Sequence, residues 1–258
     1  MNDTYLSQRY SNFVIVLVLL FPILINSIKI LSSLILLILV GLGVYIAISG
    51  KQNPFKIKEL KLFSWLTVSY FGVMLLSILV ADGLNAEFHH LGRKLQFLLA
   101  PLIALAVFKI DLPLKNLLLS IKIGLIVIGM ITITQSFLGY ERPSGMMNAN
   151  IFGDIAVAML FLSIVKVFNE QPKEQIITFI STIFGISAIT LSGNRGSWLS
   201  LLILSIIYLV IVYKRNFHNN AKYKLIIFGL FTIMLVLVTS TQTFNKQILN
   251  TEVAMERW

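Results

Sequence analysis

Residues 175–213 read QIITFISTIFGISAITLSGNRGSWLSLLILSIIYLVIVY, two apolar runs joined by a short polar turn that holds Arg195. Each run approaches the roughly 20 residues that a helix needs to cross the hydrocarbon core of a bilayer. Backbone N–H and C=O groups find no water there, so a spanning segment must satisfy them internally, as a helix or a closed barrel does. Neither run alternates apolar and polar residues as a barrel strand would. The stretch therefore predicts a helical membrane hairpin with an arginine at its tip. An arginine in contact with lipid costs several kcal/mol, so its position asks for a use.

Composition extends this reading to the whole chain. With 57% hydrophobic and 12% charged residues and a mean hydropathy of +0.87, the 258 residues do not describe a water-soluble domain. Apolar runs predict about nine spans, near 11–28, 30–49, 62–80, 95–108, 117–138, 151–168, 175–191, 197–213 and 225–240. Together they form one all-α polytopic transmembrane bundle, a single membrane domain over 1–258. The fourth run is short, carries Pro101 and can extend back toward Leu91. The first, after Arg9, has no small-residue cleavage site and is read as an uncleaved span.

The net charge of +10 would suggest nucleic acid in a soluble protein, but here the basic residues sit in short loops between apolar runs. Membrane lipids, and no nucleic acid, are the expected surroundings. Cysteine is absent, which excludes a disulfide framework and thiolate metal sites. With the N-terminus in the cytoplasm, 14 Lys and Arg residues fall inside and 7 outside, as the positive-inside rule requires. Arg195, the loop 139–150, the loop 81–94 and the tail 241–258 then share the outer face. Chemistry using them has no ready access to ATP or nucleotide sugars.

Three polar groups on that face invite function. Arg195 is either a plain interfacial arginine at a helix turn or a planar, permanently charged fork for a phosphate or pyrophosphate. The amides of Gly196 and Ser197, opening the eighth span, would face the same anion. In the second group, running from Arg142 to Asp154, Asn150 reads as the N-cap of the sixth span. Asp154 lies one turn further along that face, inside the apolar run, and needs a partner or a wet cavity; Arg142 and Arg195 are the nearest candidate cations. The third group, Asp82 to Lys94, holds His89 and His90, which cannot share one helix face and have no further ligand to complete a metal set. Arg93 and Lys94 either mark the start of the fourth span or attract an anionic donor. Within the spans, Thr132, Thr134, Gln135 and Ser136 are expected to hydrogen-bond between helices.

The segment Leu191-Ser192-Gly193-Asn194-Arg195-Gly196-Ser197-Trp198, with Gly145 to Gly153 on the same face, resembles the bacterial O-antigen ligase and polymerase family of membrane glycosyltransferases. The first stretch is similar to a Thr/Leu-Ser-x-Ser-Arg-Gly-Ala/Ser segment that opens a span, and the second to a Gly-x-x-x-Asn-Pro-Asn segment. Asn194 stands for the usual serine, and Ala149 for the proline between Asn148 and Asn150. The resemblance implies metal-independent transfer of a glycan from an undecaprenyl-pyrophosphate carrier to lipid A-core or to a growing glycan, at the periplasmic face of the bacterial inner membrane, without a cofactor. It further implies that Arg195 stabilises the departing pyrophosphate and that Arg257 is the second family arginine, opening a large periplasmic loop at 241–258. Arg142, Asn148, Asn150, Asp154 and Arg93 are the expected donor-binding residues. The family's general base is a histidine later in that loop, so a chain ending at Trp258 is expected to be a truncated family member. A transporter or flippase for a lipid-linked or anionic solute is the alternative, and a non-catalytic assembly subunit a third reading.

Overall fold

The computed structural model describes residues 8–82, 88–108, 110, 112–167 and 170–216. These contain eight α-helices and, among the described residues, no strand: α1 (Gln8–Leu24), α2 (Lys29–Ser49), α3 (Lys58–Asp82), α4 (Phe88–Phe108), α5 (Leu114–Phe137), α6 (Ala149–Ile164), α7 (Pro172–Leu191) and α8 (Arg195–Asn216). The first eight expected spans each coincide with one helix. The ninth, 225–240, and the tail with Arg257 lie outside the described residues.

Most helices run past the apolar run that predicts them. Polar residues such as Lys58 and Lys115 continue the backbone hydrogen bonding past the apolar runs, as long basic side chains at a helix end allow. α4 starts at Phe88, so residues 88–94 are helical rather than part of a solvated loop. Pro172 occupies the first turn of α7, where a missing N–H goes unnoticed.

Four segments are long and apolar enough to cross a membrane: Ile30–Ser49, Lys58–Ile78, Leu114–Phe137 and Pro172–Leu191. Of these, half of the α5 window is buried against other helices and only 6% of the α3 window. A helix apolar all round yet uncovered by protein is suited to lipid, which is the composition of a helical membrane protein.

By internal contacts the expected single domain divides into two compact units, 1–18 with 30–113 and 19–29 with 114–258. In the first, α3 lies against α4, and Gly43 of α2 abuts the Leu102 carbonyl of α4. In the second, α5 packs on α6 and α7, and α6 on α7 and α8. Its core gathers Leu125 and Ile128 of α5, Phe152 and Ala156 of α6, Ile189 of α7 and Leu201 of α8. Ser120 of α5 also donates to the Leu19 carbonyl, tying the 19–29 segment to this bundle.

Candidate functional site

The candidate site lies at the end of the second unit where α5 stops, α6 starts and α7 turns into α8. The turn is built on Gly193, whose φ of +63° lies in the left-handed region that glycine occupies without steric cost. Asn194 then caps α8: its Oδ1 accepts from the Gly196 amide at 3.1 Å, and its carbonyl from the Trp198 amide at 3.2 Å. The Gly196 amide, expected to face an anion, is thus already engaged by Asn194.

The amide nitrogen of the same side chain reaches α6. Asn194 Nδ2 shares its two hydrogens among the Asn150 carbonyl at 2.8 Å, Asp154 Oδ1 at 3.1 Å and Ser197 Oγ at 2.5 Å. Ser197 in turn donates to Asp154 Oδ1 at 2.8 Å. This network needs α6 and α8 close together, and Gly153 allows it: a Cβ there would stand 2.4 Å from Ser197 Oγ. Asp154 is exposed on the protein surface rather than buried, and Asn194 and Ser197 hold its carboxylate.

Arg142 links the loop to the turn. Its Nε donates to the Ser192 carbonyl at 3.3 Å, and its Nη2 to Asn150 Oδ1 at 2.9 Å and the Gly193 carbonyl at 3.4 Å. The carbonyls at a helix C-terminus lack intrahelical donors and carry partial negative charge, so a guanidinium suits the end of α7. The loop itself is clasped by Gln135, whose Oε1 accepts from the amides of Ser144 and Gly145, both at 2.9 Å, and whose Nε2 donates to the Gly145 carbonyl at 3.2 Å. Gln135 therefore secures a loop, not a neighbouring helix. Thr132 likewise bonds within α5, to the carbonyls of Ile128 and Gly129.

The helix cap of α6 is Asn148, not Asn150: its side chain accepts from the Asn150 amide at 2.9 Å, and the helix begins at Ala149. Asn150 sits inside the first turn, free of the capping duty and bonded to Arg142. Arg195 is the first residue of α8 and exposed.

Of the expected site residues, the fold thus assembles Arg142, Asn148, Asn150 and Asp154 at one end of one unit, next to the turn carrying Arg195. Arg93 lies on α4 in the other unit, its side chain outside the described residues, and Arg257 also falls outside them. Asn194, Ser197 and Gln135 are read from sequence as a turn residue, a helix-start amide and an interhelical hydrogen-bonding group, and sequence reasoning missed the network that their side chains build. An asparagine two residues before a glycine, at the head of an apolar run, is a helix-start signal that identifies the first.

The opposite end of the unit differs in kind. Lys122 of α5 and Glu170, before α7, form an ion pair with side chains only 4% and 7% exposed, and Thr178 Oγ1 donates to Glu170 Oε2 at 2.6 Å. A second pair joins Lys115 to Glu174 nearer the surface.

No family profile matches the chain. It is 30% identical over 220 residues, 82% of its length, to an uncharacterized protein of Haemophilus influenzae Rd. The chain spans about half, 52%, of the length of that curated relative.

Proposed function

We propose that the chain is a membrane glycosyltransferase of the O-antigen ligase and polymerase type. It transfers a glycan from undecaprenyl-pyrophosphate to a sugar hydroxyl of lipid A-core or of a growing glycan, at the periplasmic face of a bacterial inner membrane. Nine spans with a cytoplasmic N-terminus put the 139–150 loop and the Arg195 turn on that face. The observation that supports the reading is their junction: Arg142 bonds the carbonyls of Ser192 and Gly193 in the turn, Asn150 and Asp154 accept from Asn194 at the start of α8, and Arg195 stands exposed next to that asparagine.

In the transfer, the acceptor oxygen attacks the anomeric carbon, and the new glycosidic bond forms as the carbon–oxygen bond to pyrophosphate breaks. The hydroxyl proton passes to a base, for which the family resemblance implies a histidine of the loop that Arg257 opens. Negative charge grows on the leaving pyrophosphate oxygen, and a guanidinium held at a helix start stabilises it there.

The test is Arg195→Ala in a full-length context, scored by surface glycan ladders. Transfer is expected to fall at least about a hundredfold, the effect of removing one donor to a developing oxyanion, with membrane insertion unchanged. Arg195→Lys restores only part of it, since lysine supplies charge without the bidentate fork. Normal ladders in the alanine variant overturn the proposal.

The Lys122–Glu170 pair favours a second reading, a transporter or flippase of a lipid-linked or anionic solute, because ionisable groups among membrane helices often line a transport path. That reading requires Arg195→Ala to leave ladders intact and substitution of Lys122 and Glu170 together to stop solute movement.

A further inference from the structure

A cavity of about 380 Å³ opens at the end of the second unit away from the candidate site, between the start of α5, the end of α6 and the start of α7. Three lysines line it, Lys115, Lys122 and Lys166, against two carboxylates, Glu170 and Glu174. Both carboxylates are already matched, Glu170 by Lys122 and Thr178, and Glu174 by Lys115. Lys166 is exposed, and no carboxylate among the described residues pairs with it. The lining thus keeps one uncompensated positive charge. Leu119 and Ile177 give it an apolar side, and Leu119 is itself exposed among the outward-facing apolar residues of α5.

We infer that this cavity binds a phosphate group, as the headgroup of an anionic phospholipid supplies it. A phosphodiester carries the single negative charge that the lining lacks, and the volume lies in the range of small-ligand sites. Basic pockets between membrane helices take anionic lipid headgroups, and here the apolar flank at Leu119 gives the first methylenes of an acyl chain a surface to follow. Lys166 is the principal contact. The exposed Lys115, held only by a surface pair to Glu174, can turn toward the same phosphate. Lys122 stays with Glu170 and shapes the floor. The inference does not depend on the glycosyltransferase reading, since it uses no residue of the other end.

The experiment takes the full chain, delipidated in detergent, and titrates phosphatidylglycerol against phosphatidylcholine with native mass spectrometry as the readout. Phosphatidylglycerol is expected to bind at one equivalent in preference to phosphatidylcholine, and Lys166→Ala to weaken it about fivefold, the effect of one basic residue at a lipid surface. Lys173→Ala, which removes a nearby lysine outside the cavity, leaves binding unchanged. Inorganic phosphate separates the two sources: displacement of the lipid at matched concentration assigns the site to the free ion, and failure to displace it assigns the site to the headgroup. Equal binding of both lipids overturns the inference. So does an equal response to the Lys166 and Lys173 substitutions.

Discussion

The two ends of the second helical unit use charge in opposite ways. Where α6 meets α8, neutral side chains do most of the holding: Asn194, Ser197, Gln135 and Asn148 close the turns and loops, Arg142 adds bonds to the Ser192 and Gly193 carbonyls, and Arg142, Asp154 and Arg195 are all exposed. Where α5 meets α7, lysine and glutamate hold each other, and the inner pair is almost fully enclosed. Charges matched and enclosed inside a protein have little left to offer a ligand, whereas exposed charges can be reached by one. This contrast is the reason the proposed chemistry on an anionic substrate is set at the Arg195 end.

Substitutions can break the comparison. The largest expected effect is Lys122→Ala, which leaves the Glu170 carboxylate enclosed without its cation and costs about 3–5 kcal/mol, read as a fall in thermal stability in detergent. Replacing both partners with apolar residues of similar volume is expected to recover most of that loss. Next comes Gly153→Ala, whose methyl group would press on Ser197 and force α6 from α8 at a cost of about 1–3 kcal/mol by the same measurement. Asn194→Ala removes the cap of α8 and a donor to Asp154, for about 1–2 kcal/mol; a double-mutant cycle with Asp154→Ala should show coupling above about 0.5 kcal/mol. The smallest is Lys115→Ala. Its side chain is 67% exposed, so the surface pair contributes under about 1 kcal/mol. An exposed-pair loss as large as that at Lys122 would erase the distinction between the two pairs.

Much of the helix layout was legible because about 20 consecutive apolar residues leave few alternatives. Helix starts were less so. Asn148 and Asn150 are equally good caps by residue type, and the choice depends on where the chain turns after Ser144. Counting crossings sets the 139–150 loop and the Arg195 turn at the same end of the bundle, but it does not bring them into contact. Arg142 is read from sequence as a ligand for an anion, yet its guanidinium also closes the end of α7 through the carbonyls of Ser192 and Gly193. The Lys122–Glu170 pair was invisible because its partners stand 48 residues apart, one of them outside any helix.

The Gln135 clasp carries one further consequence. It fastens Ser144 and Gly145 through uncharged groups that neither titrate nor attract counter-ions. Under the proposed function, ionic strength is therefore expected to weaken the approach of an anionic donor to the exposed arginines while leaving this clasp intact.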